Sequence, residues 1–282
     1  MKDITLEELL EAGCHFGHQV TRSNPKARDF VFENRDNIQI IDLVKTKTGL
    51  DEAANFIKQI AQRNGTILVV ATKRQAQPIL DEELKRIKEL LEDNKKGSSD
   101  SIYYITNKWI GGILTNFSEV SKNFKKLNDL KELVNSQEKR AIYTKKEIGL
   151  MDKEIQRLEV LYGGIAKMLQ KPDVMFIVDS HLEYLAISEA MSMGVATVAI
   201  VDTNADPSVV DYPIPANDDA VGSIKLISSH ILDAWTEGVK SQKPPKVEGE
   251  SPKEPKKETE PKETKSKVKV LKTEKTVKAK IV

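Results

Sequence analysis

The chain has 282 residues, enough for one large domain with an appendage and a sizeable buried core. Hydrophobic residues make up 39% and charged residues 31%; no apolar run reaches the roughly 18 residues that a membrane span needs, and a single cysteine, Cys14, excludes an internal disulfide. The formal net charge of +1 conceals two opposed parts: residues 241–282 hold 13 Lys and 7 Glu, a net of +6, which leaves −5 for residues 1–240. Five prolines and no aromatic residue in residues 241–282 imply a disordered Lys/Glu/Pro-rich tail, either weakly attracted to polyanions or simply solubilising.

The opening MKDITLEELLEAG reads as an acidic helix without an apolar signal core, so a reducing cytosol is expected rather than secretion. Thr5 and Glu8 supply a capping box, and Gly13 ends the helix. Cys14 has no clear activating neighbour and reads as a small buried residue. His15 and His18 then stand beside a basic loop, Arg22, Asn24, Lys26 and Arg28, whose Asn-Pro turn and cations suit phosphate contact. A hydrogen-bonded core imidazole is the plainer reading for at least one of the histidines.

FVF (30–32) and IQIIDL (38–43) are short strands joined by a polar turn. Leu50, Ala53, Ala54, Ile57 and Ile60 mark an amphipathic helix that stops at Asn64-Gly65. TILVVA (66–71) is a continuous apolar run, as in a strand covered on both faces. Thr72, Lys73 and Arg74 follow it and precede a helix to about Asn94. They suit an anion site at a helix N-terminus, and equally a solvated helix start. IYYIT (102–106) is the next strand. In NKWIGGILTNF, Trp109 is either a core anchor or a stacking platform, and Gly111-Gly112 allows close backbone approach.

Residues 144–170 carry apolar side chains in 3-4 alternation: Ile148, Met151, Ile155, Leu158, Tyr162, Ile165 and Leu169. Val120, Phe124, Leu127, Leu130 and Val134 supply a matching stripe before them, and Thr144 with Glu147 forms a second capping box. The pattern predicts an antiparallel coiled-coil hairpin over 116–170, protruding from a globular body of residues 1–240; two ordinary core helices would give similar spacing. Residues 118–170 hold 11 Lys/Arg against 8 Asp/Glu, a net of +3.

The strand–helix alternation then resumes with VMFIVD (174–179), a helix over 182–194, VATVAIVD (195–202) and a helix from about Asp218 to Trp235. This predicts an α/β fold, a Rossmann-like or flavodoxin-like parallel sheet flanked by helices. Asp179 and Asp202 fall at the strand ends where such sheets bind ligands. Yet the apparatus of a nucleotide enzyme is missing: no GxGxxG follows a strand, and no GxxxxGK[ST], GxSxG or HExxH occurs. His18, Asp202 and Asp218 together would suit zinc or magnesium.

HFGHQ followed by NPK, ATKRQA (71–76), KWIGGILTNF (108–117) and the stretch PDVMFIVDSHLEYLAISEAMSMGVATVAIVDTNADPSVVDYPIPANDDA (172–220) resemble the bacterial small-subunit ribosomal protein S-two family. The resemblance runs from about residue 5 to about residue 238, with the lysine-rich tail and KKGSSDS (95–101) as departures. It implies a parallel sheet with an inserted coiled-coil hairpin, and a structural part in the small ribosomal subunit, cytoplasmic and ribosome-associated, with no enzymatic activity. Implied partners are small-subunit rRNA and neighbouring ribosomal proteins, among them the mRNA-gathering ribosomal protein S-one, whose docking supports translation initiation. Implied rRNA-facing residues are Arg22, Asn24, Lys26, Lys73, Arg74 and Lys108; the divalent cation at His18, Asp202 and Asp218 gains support from similar positions in some relatives. The competing class is a Rossmann-like enzyme binding a nucleotide or small molecule.

Overall fold

The computed structural model describes residues 3–92, 101–136 and 142–242. Most of the 95–101 extension and the tail from residue 243 lie outside the described residues, and the chain divides into two units after Lys243.

Continuous apolar runs can bury their backbone only inside a sheet covered on both faces. β4 (Ile67–Val70), β6 (Val174–Ile177) and β7 (Ala196–Val201) are such runs. With β5 (Ile102–Ile105) and β8 (Tyr212–Pro215) they form a parallel sheet in the order β5-β4-β6-β7-β8. Ile67 pairs with Ile102 on one side and Val174 on the other. The two-residue period then divides the side chains between two cores: Ile67, Val69, Phe176 and Ile200 face one, and Leu68, Val70, Met175 and Ile177 the other.

The first core is closed by α2 (Leu43–Gln62), α3 (Ala76–Glu92) and α7 (Val221–Lys240), through Leu50, Ile57, Leu80, Ile87, Ile231 and Trp235. The second is closed by α6 (Tyr184–Met193) and by the base of the helical hairpin. Helices therefore cover both faces, as the strand–helix alternation predicts. A short α1 (Leu6–Glu11) carries the expected capping box, Glu8 N–H to Thr5 Oγ1 at 3.2 Å and Thr5 N–H to Glu8 Oε2 at 3.0 Å.

Two strands were not visible in the sequence. β8 lies in a stretch read as a connection, because Pro213 and Pro215 interrupt the pattern. Proline lacks the N–H that an interior strand must donate, and β8 is indeed an edge strand. The other is β1 (Phe16–Gln19), which joins β3 (Ile38–Ile41) and β2 (Val31–Arg35) in a small antiparallel sheet. Its β2–β3 turn uses Asp36 and Asn37 at φ 50° and 65°, the left-handed pair that matches hairpin twist.

The hairpin is α4 (Phe117–Asn135) and α5 (Lys145–Tyr162), the latter opened by the Thr144–Glu147 capping box. At its base Phe124, Leu127, Leu158 and Tyr162 are buried, with the Phe124 and Tyr162 rings 5.5 Å apart. Farther out the stripe thins, with Ile148, Met151 and Ile155 only half-buried, and Lys126 Nζ bridges to Glu154 at 2.7 Å. One expectation needs correction: the second helix ends at Tyr162 and does not run to 170. Gly163–Ile165 form a 3-10 turn in which Gly164 lies so close to β5 that a Cβ would sit 2.1 Å from the Tyr104 carbonyl oxygen. The apolar seam stops at Ile165, and Leu169 is 91% exposed. Among the described residues no helix is long and apolar enough to cross a membrane.

Candidate functional site

In a doubly wound sheet the ligand crevice opens where the strand order reverses, outside the carboxyl ends of the strands. Here that point lies between β4 and β6, and it is filled from within. Lys73, just after β4, puts its ammonium 3.0 Å from Asp179 Oδ2, 2.6 Å from Asp218 Oδ1 and 2.7 Å from Asp219 Oδ1. Asp179 follows β6 at φ 72°, a left-handed angle uncommon for a side-chain-bearing residue. Its Oδ1 accepts the N–H groups of His181 at 3.0 Å and Leu182 at 2.8 Å, so its carboxylate also starts the turn into α6. Thr72, beside Lys73, bonds to the buried Glu183.

His18 brings β1 to the same edge. Its Nδ1 lies 3.1 Å from Asp202 Oδ2, its Nε2 3.6 Å from Asp219 Oδ2, and its backbone N–H donates to Thr203 Oγ1 at 2.9 Å. Asp202, at the end of β7, also accepts from the Thr203 N–H at 2.5 Å. The cluster has six titratable groups in contact, and their protonation is set by each other. Burial pushes the Asp218 carboxyl up to about 7, with Asp179 and Asp202 adding to the effect and Lys73 opposing it. Burial works against charge on Lys73, but Asp218, Asp219 and Asp179 together hold its pKa above the ordinary lysine value. The hydrogen bond to Asp202 raises that of His18 against burial.

The three residues expected to hold a cation are therefore brought together, with a division of roles. His18, Asp218 and Asp219 can each offer one atom within 4.8 Å of the others. Asp218 Oδ2 is buried and has no hydrogen-bond partner among the described residues, an acceptor suited to a cation. Asp202 sits behind His18 on Nδ1, the position from which a carboxylate orients an imidazole ligand. Asp219 was not singled out in the sequence; its adjacency to Asp218 before a helix start was the available signal.

The expected RNA-facing residues divide into two sets. Arg22, Arg74 and Lys108 are exposed. Asn24 is half-buried and Lys26 is exposed, but both are engaged within the chain: Asn24 Oδ1 accepts from the Lys26 N–H at 3.0 Å, while Lys26 Nζ donates to Asp206 Oδ2 at 2.6 Å and Ser208 Oγ at 3.1 Å. Lys73 is engaged by three carboxylates inside the chain. Trp109 is 6% exposed and thus a core anchor.

Compared with known proteins, residues 9–238 match the family described as ribosomal protein S2. The chain belongs to the ribosomal protein S2 family. The small ribosomal subunit protein uS2 of Corynebacterium urealyticum is 43% identical over 242 residues, covering 86% of this chain and 85% of that protein. The protein of the same name from Bifidobacterium adolescentis is 42% identical over 253 residues, covering 89% and 88%. The S2 match spans the sheet, the hairpin and the Lys73–Asp218 cluster alike. The parallel sheet flanked by helices agrees with the fold that the motifs imply.

Proposed function

We propose that this S2-family chain is a structural constituent of the small ribosomal subunit. It holds small-subunit rRNA and neighbouring ribosomal proteins, and it supports docking of the mRNA-gathering ribosomal protein S-one and so translation initiation. The observation that carries this reading is the family match over nearly the whole folded part, with relatives named as small-subunit proteins. We read the protein as cytoplasmic and ribosome-associated.

The closed crevice supports a holding role over turnover. A nucleotide entering at the switch point would bring its phosphates against Asp179, Asp202, Asp218 and Asp219, and the Lys73 ammonium there is already matched. We therefore read the chain as no enzyme. Exposed Arg22, Arg74 and Lys108 are the phosphate-contact residues of this reading, with Asn24 and Lys26 shaping the loop between them. Lys73 acts inward, joining β4 to the loops after β6 and β8.

Zinc or magnesium fits the edge cluster, held by His18, Asp218 and Asp219 with Asp202 orienting the imidazole. Such an ion would neutralise carboxylates and tie β1 to the sheet. Metal analysis of the purified chain should find one ion, absent after His18→Ala; a metal-free wild type would end that assignment. For the function as a whole, sucrose-gradient fractionation should place the chain with small subunits at moderate salt. A chain confined to the top of the gradient would overturn it.

A further inference from the structure

A cleft of about 390 Å³ opens beside the edge cluster, between α6 and the segment that joins β7 to β8. Ligand pockets begin at roughly 300 Å³, so this one has room for a single large side chain. Tyr184, Ile187 and Met191 line it from α6, at the spacing of one helix face, and Val209 lines it from the joining segment. Ser180 and Asn204, just past the ends of β6 and β7, also line it. No Lys or Arg is among the lining residues, and the one carboxylate, Asp206, is already bonded to Lys26 and Ser208.

Two polar groups of this lining are unused. Ser180 is 5% exposed, and its Oγ has no hydrogen-bond partner among the described residues. Neither has the buried Asn204 Oδ1, while the amide nitrogen of the same side chain lies 3.3 Å from His18 Nε2. Buried acceptors without a donor are uncommon, and they point to a donor supplied from outside the chain. The helix beside them carries no charge on its outer side. Residues 182–195 contain two charged residues, Glu183 and Glu189, and both are buried. Leu182, Tyr184, Leu185 and Met191 are instead between 41% and 71% exposed. A solvent-facing helix ordinarily places its charged residues there. Backbone bonds fix the surroundings: the Ser180 N–H donates to the Ile200 carbonyl at 3.2 Å, and the Asn24 N–H to the Thr203 carbonyl at 2.8 Å.

We propose that this cleft receives a tryptophan or tyrosine side chain from an uncharged segment of a neighbouring small-subunit protein. An aromatic body against Ile187, Val209 and the Met191 thioether, with its N–H or O–H toward Ser180 or Asn204, satisfies both halves of the lining. Charge selects against RNA, because a phosphate would meet no available cation here. Size selects against a second copy of this chain. The ten residues of α6 span about 15 Å with a width of roughly 10 Å, whereas a stable dimer buries about 800 Å² on each partner. The occupant is therefore a segment held in place by its own contacts in the particle. The site rests on the ribosomal reading above and adds to it one protein contact.

Small subunits containing the full-length chain, with p-benzoylphenylalanine in place of Tyr184, are irradiated, and the crosslinked peptides are sequenced by mass spectrometry. One segment of another small-subunit protein is expected, uncharged and bearing a Trp or Tyr. Met191→Lys and Met191→Glu should each lower the yield roughly tenfold, since either charge would be buried against the ring, while Met191→Leu keeps it. Leucine in place of the partner's aromatic residue should lower the yield equally. Met191 is 58% exposed, and matching melting curves establish that its variants fold. Crosslinks to rRNA, or a yield that rises with Met191→Lys and falls with Met191→Glu, would assign the face to a polyanion and overturn the proposal. A crosslink between two copies of this chain overturns it as well. Particles that contain the chain yet give no protein crosslink overturn it while the ribosomal reading stands. A chain that never sediments with small subunits removes both.

Discussion

The indole N–H of Trp109 donates to Glu189 Oε1 at 3.1 Å, with both side chains 6% exposed. The same carboxylate accepts the N–H groups of Gly112 at 2.7 Å, Leu114 at 3.1 Å and Thr115 at 3.2 Å, and the Thr115 hydroxyl at 3.1 Å. One charge on α6 therefore organises the loop that launches α4. Burial works to raise the Glu189 pKa, but these donors outweigh it and hold it below the ordinary 4.5.

Glu189→Gln would set an amide NH₂ among these donors, and the expected loss is about 3 kcal/mol in a urea titration followed by tryptophan fluorescence. A depressed carboxylate stabilises the fold above its unfolded value, and that contribution disappears as pH falls through the lower folded value. The wild type should accordingly lose stability on acidification below about pH 4.5 more steeply than the variant. Parallel acid curves would refute the anchoring role.

Lys73→Met removes the cation shared by Asp179, Asp218 and Asp219. Stranding buried carboxylates costs about 3–5 kcal/mol, so the melting temperature should fall well below that of the wild type. A divalent ion offers a replacement charge, and zinc or magnesium should restore more stability to this variant than to the wild type. Equal shifts in both proteins would separate the lysine from the cation site.

Two glycines near each other in sequence should respond in opposite ways to alanine. Gly149 lies inside α5 with nothing within 4 Å of an added Cβ, so Gly149→Ala should stabilise by up to about 1 kcal/mol. Gly164→Ala would force the turn off Tyr104 and should cost about 3 kcal/mol. Thermal denaturation of the pair, read against one another, checks the assignment of the helix end.

Neutralising Arg22, Arg74 and Lys108 together should leave the fold intact, since all three are exposed. If they contact duplex phosphates, the slope of log affinity against log salt should shrink by about 0.9 for each. A slope identical to that of the wild type would discard these residues as RNA contacts.

Much of the body was legible because its strands are uniformly apolar and short, and its long helices show clear 3.6-residue stripes. What escaped did so for local physical reasons. Pro213 and Pro215 hide a strand that needs no N–H on its outer side. The repeat through Ile165 and Leu169 continues by coincidence past a helix broken by close packing against Tyr104. At the edge cluster, sequence placed His18, Asp202 and Asp218 together but read Lys73 as outward-facing, because a cation after a strand gives no hint of three carboxylates arriving from elsewhere. Glu189 was passed over, although a lone acid between Ala186 and Met193, three and four residues away on an apolar face, marks a charge with buried partners.

The prolines of β8 carry a consequence for the polypeptide before it meets its particle. An unpaired sheet margin is a template on which further copies can stack, and such stacking leads to aggregation. On one side β8 offers no amide hydrogen at Pro213 or Pro215, and on the other the Gly163–Ile165 turn lies across β5. Both borders are thus blunted against strand-to-strand pairing between copies.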